Sequence, residues 1–226
     1  MKPDPSTYWG GVFDDISTKV GDAEAANGYF SVRNFRFLKG EVLKLLGDMK
    51  GRRILDAGCG TAHISFPLAE ENFISGVDFS KKMLGFARNK GLVPVQSWVE
   101  RLPFKEGSFD LALANNIIHL IEGGELLIRE LLRITRPGGR IIISTVNAEN
   151  LTLGAFRIIE RKKQEQFRFF SAAFLKKLIA EAGGRVRASL FLFYPFGGVT
   201  TVPGNDTPGF LLRRLATSII MDAFRL

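Results

Sequence analysis

One cysteine and two histidines are all the thiol and imidazole chemistry that 226 residues provide. The lone Cys59 excludes an internal disulfide and any zinc site with more than one thiolate; His63 and His119 alone cannot furnish a multi-histidine site. No stretch approaches the roughly 18 consecutive apolar residues that a membrane-crossing helix needs. The opening MKPDPSTYWGG lacks the apolar centre of a secretion signal. There is no internal repeat and no low-complexity tract. These absences point to a cytoplasmic protein with no transmembrane segment, for which peripheral contact with a membrane remains open. Apolar residues make up 46% of the chain and charged residues 24%, enough for one domain with a sizeable core.

The net charge is +8, and the stretch from Arg129 to Arg187 holds 13 Lys and Arg against 5 Glu. Such a balance suits RNA, an anionic membrane or an acidic substrate, and equally a set of solvated helix faces. Only Arg161-Lys162-Lys163 is a tight basic cluster. Charge alone therefore selects no partner.

Apolar, β-rich runs alternate with helical patterns, which predicts a mostly parallel sheet with helices on both faces. Arg52 to Ala57, Phe73 to Asp78, Val93 to Trp98, Phe109 to Asn115 and Arg140 to Val146 read as five strands. Ala62 to Glu71 reads as the first interstrand helix. Ser80 is an expected N-cap for a second helix, through Asn89. A third helix, Glu125 to Arg136, is stopped by Pro137-Gly138-Gly139. Beyond this block, residues 28 to 49 read as an amphipathic helix, and Phe169 to Ala182 as another. Ser189 to Phe196 is a strand candidate, Tyr194 to Gly209 an expected loop, and Phe210 to Ala223 an expected short helix.

The chemistry concentrates at Ile54-Leu-Asp-Ala-Gly-Cys-Gly-Thr-Ala62, where the first strand meets its helix. Gly58 and Gly60 permit a sharp turn and a close approach of backbone to ligand, and free N–H groups there receive a carboxylate or phosphate. A dinucleotide fingerprint wants a third glycine where His63 stands. Asp56 lies two residues before Gly58, placed to meet an amine. Asp78 closes the second strand on the same crevice, where a carboxylate accepts both hydroxyls of a ribose. Glycine turn and carboxylate together ask for a nucleoside that carries an amino acid, the shape of S-adenosylmethionine.

ILDAGCGTA, GVDFS, ERLPFKEGSFDLALANNIIH and ELLRITRPGGRIIIST, in this order, resemble the motifs of the Rossmann-like (class I) S-adenosylmethionine-dependent methyltransferases. The likeness is to the type-11 group, which includes ubiquinone and menaquinone C-methyltransferases. It spans roughly residues 50 to 147, and FF…LIAEAGG at 169 to 184 fits the group's later helix. The resemblance implies a single α/β, three-layer domain with an antiparallel strand near the C-terminus. Residues 1–49 would form a helical lid, 50–147 the donor-binding core, and 148–226 the part completing the sheet and the acceptor pocket. It also implies S-adenosyl-L-methionine as methyl donor, S-adenosyl-L-homocysteine as product, and a small-molecule acceptor, apolar by the type-11 likeness and the aromatic flanks.

Residue by residue, the resemblance puts Gly58, Cys59, Gly60 and Thr61 along the methionine end of the donor, with Asp56 facing its amino group. Asp78 holds the ribose, Phe79 and Met83 pack near the adenine, and Val99 offers its backbone N–H to the adenine edge. Asn115 lines the methionine part. Trp98 stands where the group often has an acid, and either stacks on the purine or enters the core. His119 lies on the cleft side and is either a general base or a hydrogen-bonded helix-start residue; Cys59 is expected to be a small turn residue rather than a nucleophile. Phe167, Phe170 and Phe174 recur at helical spacing, as core or as pocket. No acidic cluster follows the fourth strand, so no metal is expected. An RNA methyltransferase is the second reading, opposed by Asn115-Asn116-Ile117-Ile118 where base-amine enzymes carry Pro-Pro-aromatic. A non-catalytic protein binding this donor or another nucleotide is the third.

Overall fold

The computed structural model describes residues 5–27, 31–151, 168–194, 197–204, 206 and 209–226. Five strands supply the parallel part of one sheet: β1 (Arg53–Ala57), β2 (Phe73–Asp78), β3 (Val93–Gln96), β4 (Phe109–Asn115) and β5 (Thr135–Val146). Three more, β6 (Gly184–Phe193), β7 (Gly198–Pro203) and β8 (Ser218–Arg225), complete it in the order β3-β2-β1-β4-β5-β8-β6-β7. β8 runs antiparallel between β5 and β6, and β7 antiparallel on the outer edge.

Alternation along the strands sorts side chains into two cores. Leu55, Ala57, Ala112, Ala114, Ile141 and Ile143 pack on one face with α4 (Gly124–Ile134) and α5 (Ala172–Glu181). Ile54, Leu111, Leu113 and Ile142 pack on the other with α2 (Val32–Leu46) and α3 (Lys81–Asn89). Because both faces are covered, the strands read as nearly continuous apolar runs. β1 sits between β2 and β4, so the chain order reverses there. A crevice opens at that reversal, beyond the carboxyl ends of the strands.

Helix boundaries follow capping chemistry. Ser31 Oγ accepts from Asn34 N at 3.1 Å to start α2, and Gly47, at φ 68°, closes it. Ser80 and Ser171 cap α3 and α5 in the same way. Residues 28–30, part of the expected 28–49 helix, lie outside the described residues.

Four expectations change. No regular helix spans Ala62 to Glu71; turns and a short 3-10 helix, Phe66–Leu68, replace it. Pro67 lacks an N–H and obstructs a continuous α-helix, and Ser65 spends its hydroxyl on Asp56 rather than on a cap. The expected loop from 194 to 209 contains β7, whose Val199, Thr200, Thr201 and Val202 are β-branched and fit a pleated edge. The expected helix from Phe210 stops after one and a half turns, as α6 (Phe210–Leu215), and the Ile219-Ile220-Met221 run becomes the buried strand β8. An amino-terminal helix, α1 (Pro5–Val20), precedes the elements expected from the sequence.

β8 carries one fully buried carboxylate, Asp222. Arg140 Nε and Nη2 meet it at 2.7 and 3.0 Å, and Arg187 Nε at 2.6 Å. Arg140 also donates to the Leu45 carbonyl at 2.7 Å, tying α2 to the sheet. Removing one partner of such a group leaves uncompensated charge. Asp222→Ala should therefore destabilise the fold, toward the lower end of about 3–5 kcal/mol because half-exposed Arg187 can rehydrate. Urea denaturation measures the loss, and Asp222→Asn should recover part of it.

Candidate active site

β1 ends in Asp56-Ala57, and the chain turns at once through Gly58 and Gly60, at φ 68° and 52°. A Cβ at Gly58 would lie 2.8 Å from Ile117 Cγ1, so only glycine lets this turn meet the segment after β4 without displacement. The N–H groups of Gly58 and Cys59 donate to the Val77 carbonyl at 2.8 and 2.9 Å, pinning the turn to β2. Asp78, ending β2, accepts from Gly60 N and from Ser80 N, both at 2.9 Å. One carboxylate thus joins the glycine turn, the end of β2 and the start of α3.

Burial raises the pKa of Asp78, with the N–H groups of Ser80, Gly60 and Phe79 opposing the shift. Burial pushes Asp56 up to about 6, against the Ser65 hydroxyl that donates to it at 2.6 Å. Cys59 is buried, and burial beside Asp78 and Asp56 drives its thiol upward, away from nucleophilic thiolate. Its sulfur fills the space beside Gly76, where a Cβ would lie 2.9 Å away. This is the small turn residue the sequence led us to expect.

The cleft encloses about 970 Å³, open mouth included. Among the expected residues, Asp56, Gly58, Cys59, Gly60 and Asp78 line one wall. Phe79, Met83, Trp98, Val99 and Asn115 line the rest. Trp98 stacks on Phe79, ring centroids 4.2 Å apart, at the cleft and not in the core. Two expected residues do not reach it. Thr61 is buried beneath the turn, its carbonyl accepting from Lys90 Nζ at 2.9 Å. His119, placed on the cleft side by the sequence reading, is buried with Nδ1 3.1 Å from Thr145 Oγ1. Burial lowers its pKa to about 4, so its ring is neutral near pH 7. The turn after β4 swings this side chain toward β5, while Ile117, Leu120 and Ile121 face the cleft. Phe167 lies outside the described residues; Phe170 is buried, and Phe174 is half-exposed against it.

α1, within the 1–49 segment expected as a helical lid, adds Trp9 and Phe13 to the cleft, two residues the sequence reading did not name. The signal was present: Trp9, Val12, Phe13, Ile16 and Val20 recur at helical spacing. Polar contacts hold α1 over the cleft. Ser80 Oγ donates to Asp14, and Lys82 Nζ donates to Thr18 Oγ1 at 2.6 Å. Glu100 also lines the cleft and was not singled out.

Among the described residues the lining contains Asp56, Asp78 and Glu100 and no Lys, Arg or His, in a chain whose net charge is +8. Carboxylates such as Asp56 and Asp78, whose pKa burial raises, favour a positively charged ligand. An ammonium and a sulfonium on one nucleoside satisfy that demand. The glycine turn, the ribose-ready carboxylate and the aromatic pair fit the remainder of S-adenosylmethionine.

Comparison with known proteins agrees with this geometry. Residues 48–182 match the family described as methyltransferase domain. The demethylmenaquinone methyltransferase of Beutenbergia cavernae is 32% identical over 137 residues, 59% of this chain and 56% of that protein. The malonyl-[acyl-carrier protein] O-methyltransferase of Erwinia pyrifoliae is 36% identical over 102 residues, 44% of this chain and 39% of that one. The alignments span 56%, 64% and 55% of the first curated relatives' lengths, less than two thirds in each case. Among solved structures, a possible histamine N-methyltransferase from Thermotoga maritima superposes with TM-score 0.71 at 24% identity, covering 95% of this chain and 100% of that one. The magnesium protoporphyrin IX methyltransferase of Synechocystis, with bound S-adenosylhomocysteine, gives 0.69 at 21% identity, covering 99% and 100%. These two likenesses speak for the fold alone.

The chain belongs to the methyltransferase-domain family, and its fold is the Rossmann-like, class I fold of the S-adenosylmethionine-dependent methyltransferases. Within that class its sequence is similar to quinone-biosynthesis enzymes.

If Asp78 accepts the ligand's hydroxyls, Asp78→Ala should weaken binding of S-adenosylhomocysteine by about 1–3 kcal/mol, roughly fivefold to 150-fold. Titration calorimetry checks this, and unchanged affinity removes Asp78 from the site. Affinity for the same ligand should also rise from pH 5 to pH 7, as Asp56, with its pKa at about 6, becomes a carboxylate able to face an ammonium. Asp56→Asn should flatten that profile. The linked effect on the free protein has the opposite sign. A carboxyl with its folded pKa raised stabilises the fold below about pH 4, and the contribution is lost as pH climbs toward 6.

Proposed function

We propose that the protein transfers a methyl group from S-adenosylmethionine to a small apolar acceptor of the quinone-precursor or lipid-like kind. The observation that carries this reading is the cleft's lining: Asp56 and Asp78 beside the glycine turn, together with the apolar side chains of Trp9, Phe13, Leu120 and Ile121. An apolar acceptor suits those side chains, and among the described lining residues no Lys or Arg offers a phosphate-bearing acceptor a partner. The demethylmenaquinone methyltransferases among the relatives support the same choice.

In this reading Asp56 faces the donor's ammonium, and Gly58, Cys59, Gly60 and Thr61 shape the turn along its methionine end. Asp78 takes the ribose, using the acceptor capacity left after the N–H groups of Gly60, Phe79 and Ser80. Phe79, Met83 and Trp98 flank the adenine, Val99 gives its edge a backbone N–H, and Asn115 borders the methionine part. The donor, when bound, supplies a sulfonium-activated methyl for in-line displacement, leaving S-adenosylhomocysteine. The protein's task is then alignment and exclusion of water, worth at best about 7–11 kcal/mol. Residues 1–49 act as the lid, 50–147 as the donor-binding core, and 148–226 complete the sheet and the acceptor pocket. His119 takes no proton in this scheme, and the setting is the cytoplasm, with peripheral access to membranes.

The test is transfer of labelled methyl from the donor to a demethylated menaquinone in its reduced form. Label should enter the organic phase, and S-adenosylhomocysteine but not NAD should raise Tm. Donor binding without any small molecule accepting label, while RNA does, overturns the reading. His119→Gln should change kcat by less than about threefold, against the roughly 10²-fold or greater loss expected for a general base.

A further inference from the structure

Five large apolar side chains stand exposed in one region: Leu151, Phe174, Phe210, Leu211 and Leu215, each 41–69% accessible. They are tied together by polar contacts beneath them. Asn147 and Asn150 donate to the carbonyls of Arg213, Leu215 and Ala216, fastening α6 to the segment that ends in Leu151. Lys176 of α5 donates to the Asp206 carbonyl at 2.8 Å, drawing the Phe174 helix to the approach of α6. Cations surround these side chains. Arg214 lies over the Phe210 ring, 5.3 Å from its centroid, with no acidic partner among the described residues. Acids interleave with the other cations: Arg213 meets half-buried Glu149 at 3.3 Å, Arg168 meets Glu122 at 3.6 Å and Lys177 meets Glu181 at 3.7 Å. α6 itself, FLLRRL, contains no acid.

The region lies on the same edge of the sheet as the cleft. β5 runs parallel to β4, with Ser144 opposite Asn115, so Asn147 sits at the carboxyl edge where the cleft opens. The backbone N–H of Arg168 donates to the His119 carbonyl at 2.9 Å, joining the region to the turn that lines the cleft.

We propose that this face, centred on α6, docks on an anionic lipid bilayer, with Phe210, Leu211 and Leu215 entering the interface and the surrounding Arg and Lys meeting lipid phosphates. Exposed apolar groups of this size otherwise sit in water at a cost. Interleaved with cations that can extend toward headgroups, they match the demands of a bilayer surface. Delivery of a bilayer-dissolved acceptor to the neighbouring cleft would follow; that consequence rests on the proposed function, whereas the docking itself does not.

The test is co-sedimentation of the intact protein with vesicles of phosphatidylcholine and phosphatidylglycerol, against vesicles of phosphatidylcholine alone. The expected result is binding to the anionic vesicles that weakens at least about tenfold without phosphatidylglycerol or at high salt. The Phe210→Ser/Leu211→Ser variant should bind at least about tenfold more weakly, and Arg214→Gln several-fold more weakly. Both should bind S-adenosylhomocysteine as the parent does, which confirms folding and separates this proposal from the donor site. Equal binding to both vesicle types, or vesicle binding unchanged in both variants, overturns it. So does concentration-dependent self-association that the double variant abolishes, which assigns the face to a second copy. Failure of methyl transfer with vesicle binding intact would overturn the acceptor assignment and leave the docking face standing.

Discussion

The carboxylate of Asp78 holds the site together. It is the last side chain of β2, and it accepts hydrogen bonds from the turn that follows β1 and from the first residue of the α3 cap. Those two N–H groups come from segments 18 residues and two residues away along the chain. A single acceptor therefore sets how far the glycine turn stands from the second strand, and hence the width of the crevice between them. Ser80 extends the arrangement: it caps α3 and also reaches Asp14 on α1. The wall over the cleft is thus registered against the same point as its floor.

The electrostatic character of the cleft follows from this architecture. Parallel strands bring their carboxyl ends to one edge, where Asp56 and Asp78 meet with no Lys, Arg or His among the described lining residues. Burial raises the pKa of both, a shift that a cationic ligand opposes. In a chain of net charge +8 the basic side chains lie elsewhere, several of them around the apolar face at α6.

Much of this was legible because the informative residues are local. Strands β1, β2, β4 and β5 are apolar runs closed by turn residues, and buried parallel strands must look that way. Gly58 and Gly60 announce a turn that no side chain with a Cβ enters cheaply, and Asp56 and Asp78 follow from their places at strand ends. The segment after Gly60 misled, because Ala62 to Glu71 has helical composition while Pro67 and the diversion of Ser65 to Asp56 prevent the helix. The carboxyl-terminal tail misled for another reason. Ile219-Ile220-Met221 follows a helical run without a strong breaker, and only the slot between β5 and β6 selects a strand. His119 shows the same limit, since the rotation of one short turn decides whether a ring faces cleft or core.

The parallel strands, the glycine turn and the carboxylate pair were written into the chain itself, since each depends on residue type at short range: apolar runs, positive φ, acids at strand ends. The tertiary structure decided what faces what. Only packing brought α1 over the cleft, turned His119 away from it, threaded β8 between two strands and left α6 uncovered, because those outcomes depend on contacts between segments far apart in sequence, whose free energies no local pattern encodes.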